Sequence, residues 1–499
     1  MSKIITVTAT NGQTIRFIDE VKAQGGMKDV KFSPDGDYVV AFFREKADPA
    51  VRERLEMIAG RYRERIFEQE GGEYLKKLYC WPTAVVEYEG HLGVVSPFYR
   101  DCFFFEHGSQ NNDMLGIKGK EKDGKWFASA SNRQKFLDPR ELGDWMSHLK
   151  ICIMLARAVR RMHMAGLSHS DLGYKNCLID PVSGQACLID IDGLVVPGKH
   201  PPSVVGTPDF IAPEVVATAH LPTDDRQRKL PSRTTDLHAL AVLIYMYLLY
   251  RHPLRGDKIH DPNDTQNDET LAMGSQALFV EHPNDRSNRI KTANVKPSEL
   301  PWKDTDKMPY TVCGSYIAKL FEQAFIDGLH DPNKRPTADE WERALVKTVD
   351  LLQPCANADC KQKFYAFDNR RNPVCPFCGT PHSGSLPVLN LYSAAPNGSY
   401  RPDNHRIMVY SGQSLFKWHA DSNVFPNERL STEDAKRVGY FLLHNGDWWL
   451  VNEKLPEMHD VVQKTPVPIG GKVKLADGVQ ILLQKGTGGR LIVVQMAGN

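Results

Sequence analysis

Three residues in a fixed order, Asp171, Asn176 and Asp190, have the types and spacing that could do chemistry in this chain. The first two stand in His169-Ser170-Asp171-Leu172-Gly173-Tyr174-Lys175-Asn176. Asp190 follows Asn176 by fourteen positions, and Ala212-Pro213-Glu214 comes after it. Moving the γ-phosphate of ATP needs a carboxylate to orient an attacking hydroxyl and hard oxygen ligands to hold Mg²⁺ against the phosphates. Asp171 would supply the first, Asn176 and Asp190 the second. A lone aspartate is usually a solvated loop residue or a helix cap. The weight therefore rests on the order and spacing, and on their joint occurrence with the run Gly206-Thr207-Pro208-Asp209-Phe210-Ile211-Ala212-Pro213-Glu214.

That combination resembles the catalytic and activation loops of protein kinases. The resemblance covers roughly residues 12–350, with its specific motifs between 163 and 336. It implies a bilobal kinase fold, ATP and Mg²⁺ as cofactors, and transfer to serine or threonine of a protein substrate. It also implies that His169 braces the loop, that Glu214 pairs with Arg335, and that Asp236 holds the catalytic-loop backbone, although a plain helix N-cap would suit Asp236 equally. Ser170 stands where regulated kinases have an arginine that reads an activation-loop phosphate, a charge-assisted contact serine cannot make. Gly173 replaces the lysine that reaches the γ-phosphate, with Lys175 two positions on as its stand-in. Asp190-Ile191-Asp192-Gly193 departs from Asp-Phe-Gly but keeps the first aspartate.

The elements that must position these groups begin with short β-like runs over residues 1 to about 100, broken by a charged helical stretch from about Asp48 to Gln69. Gly25-Gly26-Met27-Lys28-Asp29-Val30 reads as a glycine-rich loop, where missing side chains let backbone N–H groups approach phosphate. The following strand, Tyr38-Val39-Val40-Ala41-Phe42-Phe43-Arg44, has Phe43 at the position of the kinase strand lysine. Residues Gly26 to Val30 and Gly206 to Phe210 are similar to the with-no-lysine kinases, in which a lysine in the glycine-rich loop takes over that charge. The resemblance makes Lys28 the phosphate lysine, ahead of Lys31 and Arg44; otherwise Lys28 is a solvated loop residue. Its expected carboxylate partner is Glu64, chosen over Glu53, Glu56 and Glu68 by distance along the chain from Phe43. Thr83 to Val86 and His91 to Val95 read as paired strands leading to Ser96-Pro97-Phe98-Tyr99, with Pro97 and Tyr99 as the hinge beside the adenine.

Residues 107–135 are polar and glycine-dotted and read as an insertion. Helical periodicity then places Leu142, Trp145, Met146, Leu149, Ile153, Ala156, Val159 and His163 on one face, leading into the catalytic loop. Residues near 217–232 and 256–305 are further polar loops.

Ten cysteines divide into six scattered through apolar segments, where reduced cysteine packs as a small hydrophobe, and four in two pairs, Cys355/Cys360 and Cys375/Cys378, fourteen residues apart. Four thiolates so spaced can close a tetrahedral structural Zn²⁺ site with no open position for substrate. Lys361, Lys363, Arg370 and Arg371 are too thin a basic surface to suggest nucleic acid. From about Leu386 the chain reads as short strands of a β-sandwich. Its closing pattern is similar to forkhead-associated domains, without the Gly-Arg motif for phosphopeptides; Gly412-Gln413-Ser414 lies there instead.

With 62 basic and 61 acidic residues, a net charge of +1 gives no general attraction to nucleic acid or anionic membrane. The start Met1 to Thr6 lacks a long apolar run, so no signal peptide is expected. The longest apolar run, Ala239 to Leu249, is well short of the roughly 18 residues of a membrane span. The expectation is a cytoplasmic, α+β multidomain chain: kinase N-lobe 1–100, C-lobe 101–350, zinc ribbon 351–383 and forkhead-associated-like sandwich 387–499. This order resembles bacterial kinases encoded beside a von Willebrand A-domain protein and a metal-dependent phosphatase in tellurium-resistance-type operons, which implies those two as partners. The rival expectation, favoured by Phe43, Gly173 and Asp192, is a pseudokinase scaffold that binds nucleotide and holds partner proteins.

Overall fold

Alternation along Tyr38–Lys46 buries Val40 and Phe42 on one face, where Phe42 meets Phe17 edge-on at 5.1 Å between centroids. It turns Ala41 and Phe43 to the other face, into a cluster with Leu55 and Val51 of the helix Pro49–Met57. The first half of this strand is thus packed on both faces. The computed structural model describes residues 3–24, 27–196, 206–222, 224–368 and 373–498. They fall into two compact units, one of Met1–Gly143, Lys150–Asp306 and Leu320–Glu342, the other of Asp144–Leu149, Lys307–Lys319 and Arg343–Asn499. Residues 307–319 and 343–350, expected with the segment 101–350, are grouped in the second unit.

In the first unit β1 (Ile4–Thr8) and β2 (Thr14–Ile18) form a hairpin. β3 (Ala23–Gln24), β4 (Lys28–Phe32), β5 (Tyr38–Lys46), β6 (Ala84–Tyr88) and β7 (His91–Pro97) form an antiparallel sheet in the order β3-β4-β5-β7-β6. The β4–β5 register sets Lys28 directly opposite Phe43. Asp48 caps the helix Pro49–Met57, its Oδ1 accepting from Ala50 N at 2.7 Å and Val51 N at 3.2 Å, with proline in the first helical position. A π-helical turn, Ile58–Tyr62, separates this helix from the next, Arg63–Phe67.

The rest of the unit is built round the helix Arg233–Leu249, buried at every residue from Thr235 onward. Such an all-round apolar helix can only be a core element. The helix Trp145–Met164, in this unit from Lys150 onward, leads toward the loop of residues 169–176, and β8 (Cys177–Asp180) pairs with β9 (Gln185–Leu188) after it. The segment expected as a polar insertion is anchored by a buried charge cluster. Lys122 Nζ lies 2.8 Å from Asp180 and 3.0 Å from Glu141, all three nearly inaccessible. A buried lysine is tolerated when its charge and donors are both matched, as these two carboxylates do.

The second unit contains the hairpin β10 (Leu352–Pro354) and β11 (Phe364–Ala366) and two antiparallel sheets. With β12 (Leu386–Ala394), β13 (Tyr400–Met408), β14 (Ser414–Phe416), β15 (Arg437–His444), β16 (Asp447–Asn452), β17 (His459–Asp460), β18 (Thr465–Pro466), β19 (Lys472–Lys474), β20 (Gln480–Leu482) and β21 (Arg490–Ala497), the sheet orders are β13-β12-β21-β20-β17-β18 and β14-β15-β16-β19. Leu389, Met408, Phe441, Leu450, Ile481 and Ile492 from both sheets share one core. Asp350, buried, is held between the rings of His405 (Nε2 at 2.7 Å) and His419 (Nε2 at 3.1 Å). Burial alone would raise this carboxyl, but the two imidazoles outweigh it and keep it well below the usual carboxylate range.

Candidate active site

Asp236, in the first turn of the buried helix Arg233–Leu249, fixes the loop that carries Asp171. Its Oδ2 accepts from His169 N at 2.8 Å and its Oδ1 from Ser170 N at 3.1 Å, while His163 Nε2 lies 3.1 Å from Oδ2. Ser170 sits at φ 66°, a left-handed conformation that a non-glycine residue holds only when its surroundings over-determine it. The His169 ring spans the other way, Nε2 to Ile189 O at 2.9 Å, tying the loop to the strand that precedes Asp190.

On this support Asp171 is oriented from two sides. Asn176 Nδ2 donates to its backbone O at 2.7 Å and its Oδ2 at 3.0 Å, and Thr207 Oγ1 donates to its Oδ1 at 2.9 Å. Those bonds use the amide nitrogen of Asn176 and leave its Oδ1 as the acceptor. Asp190 is also left-handed, at φ 59°, ψ 36°, with its side chain 58% exposed. An amide oxygen and a carboxylate are the hard donors that suit Mg²⁺, so these residues fit that ion.

Lys28 reaches the same place from the sheet. Its Nζ lies 3.1 Å from Asp190 Oδ1 and 2.6 Å from Asp192 Oδ2, and 5.1 Å from the Phe43 ring centroid. Directly opposed residues of an antiparallel pair lie on one face about 5 Å apart at Cβ. A lysine opposite Phe43 can therefore bring its ammonium to the space a lysine at position 43 would have filled. Burial alone would lower the Lys28 ammonium, but Asp192 and Asp190 outweigh it and hold it above its ordinary value.

Glu64, expected as the partner of Lys28, is exposed, and the carboxylates that Lys28 meets are Asp190 and Asp192. The two other candidates for the phosphate charge are engaged elsewhere, Lys31 with Asp19 at 2.6 Å and Arg44 with Asp29 at 2.9 Å. Gly25 and Gly26 lie outside the described residues, as do Ser203, Arg370 and Arg371. Pro97 ends β7, its carbonyl accepting from Cys80 Sγ at 3.4 Å. Tyr99 packs with Cys80, Cys102 and Ile189 around Phe103, Leu178 and Cys187, an apolar patch that ends one residue short of Asp190. Lys175 is exposed in the turn Tyr174–Asn176. At Gly173 an added Cβ would stand 3.0 Å from the Phe210 ring, so that ring occupies the space above it.

The end of the activation segment is tied down by charge. Glu214 makes a two-pronged pair with the buried Arg335, at 2.9 and 2.7 Å. Asp209 Oδ2 accepts from Tyr174 Oη at 2.9 Å, and Asp209 Oδ1 from Arg255 Nε at 2.7 Å. Sequence reasoning missed Asp192 and Asp209. The signal for Asp192 was the Asp-x-Asp spacing itself, two carboxylates on one short turn, which by sequence counts only as a departure from Asp-Phe-Gly in favour of a pseudokinase.

Residues 120–344 match the family model described as the protein kinase domain. That stretch is similar to protein kinase domains. Over 165 residues, 27% of this chain, it is 31% identical to serine/threonine-protein kinase PknD of Chlamydia abortus, covering 16% of that protein. Over 213 residues, 42% of this chain, it is 32% identical to the dual serine/threonine and tyrosine protein kinase of Apis mellifera, covering 17% of that protein. The matched stretches are thus a small part of these relatives' own length. Among solved structures a rhoptry kinase from Toxoplasma gondii is similar at 14% identity and a TM-score of 0.39, over 70% of this chain and 84% of that one, too loosely to bear on the fold.

Outside the matched stretch, the four clustered cysteines bring their sulfur atoms within 4.8 Å of one another, with Cys355 to Cys378 at 3.5 Å and Cys360 to Cys375 at 3.9 Å. Thiolates 2.3 Å from a tetrahedral Zn²⁺ are roughly 3.8 Å apart, so the set fits that ion. Among the described residues no helix is long and apolar enough to cross a membrane.

Proposed function

We propose that this protein is an ATP- and Mg²⁺-dependent serine/threonine protein kinase with a zinc-holding ribbon and a C-terminal module for partners or regulation. The observation that carries the reading is the orientation of Asp171 by Asn176 and Thr207 beside Asp190 and Lys28. In the reaction a substrate hydroxyl oxygen bonds to the γ-phosphorus as the bond from that phosphorus to the β,γ-bridging oxygen breaks. The hydroxyl proton passes to Asp171 and ADP leaves with the bridging oxygen. Mg²⁺ supplies charge neutralisation on the phosphate oxygens, and Asn176 and Asp190 are the residues that would hold it. Lys28 and Lys175 would bind phosphate oxygens, and the segment Pro97 to Tyr99 would take the adenine.

Autophosphorylation of purified protein with labelled ATP and Mg²⁺, beside Asp171→Ala, tests the reading. Wild type should incorporate phosphate and the variant should fall by roughly a thousandfold, the order expected for loss of a transition-state group. Equal incorporation in both would sink it. A second reading, the nucleotide-binding scaffold, is favoured by the Phe210 ring beside Gly173, 3.0 Å from where a lysine's Cβ would stand and so in a tight contact with it. Nucleotide binding without incorporation would select it.

The cysteine set supports one structural zinc. Elemental analysis under reducing conditions should find about one zinc per chain, and Cys375→Ser should lower both zinc content and thermal stability, because four-thiolate metal binding is folding free energy for so small a segment. Metal-free protein of unchanged stability would remove the ribbon. The order of modules supports, as partners, a von Willebrand A-domain protein and a metal-dependent phosphatase of the tellurium-resistance type, testable by co-purification. The sheet-rich tail, forkhead-associated-like in its closing pattern, is the module offered to them.

A further inference from the structure

The carboxylate that a kinase helix is expected to offer its phosphate lysine is missing here. Glu64 is exposed, and the helix Pro49–Met57 presents instead a half-buried arginine, Arg54, whose Nε is buried without a hydrogen-bond partner. Burial lowers the Arg54 guanidinium, and the charge of Asp192 pulls it the other way. Asp192 is 8% exposed and meets Lys28 Nζ with both oxygens, Oδ1 at 2.9 Å and Oδ2 at 2.6 Å. Asp190, by contrast, is 58% exposed and meets it with one, at 3.1 Å.

Those two contacts are unequal in what they cost to break. A desolvated carboxylate stripped of its cation is strongly destabilised, whereas an exposed one is readily taken over by water or a metal ion. On the reading above, Asp190 must give its oxygen to Mg²⁺, so Lys28 and the metal compete for the same atom. We infer that Asp192 is the positioning residue of the site: it keeps Lys28 in place and paired while Asp190 passes from the lysine to the metal. The helix glutamate is thereby replaced by a group on the same turn as the metal ligand, two residues away. This inference rests on the proposed nucleotide and metal site but not on turnover.

The test is a binding measurement. Mn²⁺, standing in for Mg²⁺, is titrated by electron paramagnetic resonance into protein holding a non-hydrolysable ATP analogue. Asp192→Asn leaves Lys28 with Asp190 alone, so apparent Mn²⁺ affinity should fall roughly tenfold, the worth of one charge-assisted hydrogen bond. Adding Lys28→Met removes the competitor, and affinity should rise back toward wild type, a reversal of sign that simple damage to the fold would not give. Asp192→Glu keeps the carboxylate, guards against misfolding of the amide variant, and should bind Mn²⁺ close to wild type. Unchanged affinity in Asp192→Asn, losses that add in the double variant, a loss in Asp192→Glu equal to that of the amide, or no Mn²⁺ binding by wild type would each overturn the inference. A wild type that binds Mn²⁺ and nucleotide but transfers no phosphate would refute the enzyme reading and leave the Asp192 role standing.

Discussion

Asp190→Ala is expected to abolish phosphoryl transfer, by roughly a thousandfold or more in kcat/KM with labelled ATP, because the ion against the phosphates loses its carboxylate and the charge developing on them is left unscreened. The backbone needs its own control. Asp190 is left-handed at φ 59°, where alanine is strained by about 1 kcal/mol while asparagine is tolerated. Asp190→Asn keeps that conformation and the side-chain volume and removes the negative charge, so it should lose activity to a similar degree with less loss of thermal stability. Near-normal activity in either variant would take Asp190 out of the site.

The second large effect is at Lys28. Lys28→Ala should lower kcat/KM by about a hundredfold, the order of one lost charge contact to the transferring phosphate. Arg44→Ala should change little, since Arg44 is spent on Asp29. The register makes a sharper experiment available. Lys28 and Phe43 are paired across β4 and β5, so Lys28→Ala with Phe43→Lys moves the ammonium to the neighbouring strand at the same level. A lysine there can keep its stem in the cluster with Ala41 and Leu55 while its head reaches out. Part of the lost activity should return. No recovery, together with a loss at Arg44 as large as that at Lys28, would show the phosphate charge has been placed wrongly.

How much of this was legible beforehand depends on how local each interaction is. Asp171 and Asn176 are five residues apart on one loop, and their bond follows from the motif. The resemblance also anticipated longer contacts, Asp236 beneath the loop and Glu214 on Arg335, because each of those residues sits in a recognisable run. The four cysteines could be grouped from spacing alone, and the strands beyond Leu386 from alternation.

The partner of Lys28 could not be read in that way. Counting from Phe43 to Glu64 assumes one unbroken helix, but the π turn Ile58–Tyr62 intervenes, and its wider winding shifts the phase of every side chain that follows. Leu55, Ile58, Tyr62 and Ile66 take the inward positions, and Glu64 is left facing water. The charge it was expected to carry comes instead from Asp190 and Asp192, more than 160 residues along the chain from Lys28. The sequence by itself determined the chemical groups of the site and their local order, since these are written in short runs whose geometry is set within a turn or two. Only the tertiary structure decided which carboxylate meets the lysine, because that depends on strand register, on helix phase and on which of several similar charges is buried, and no window of neighbouring residues carries those three.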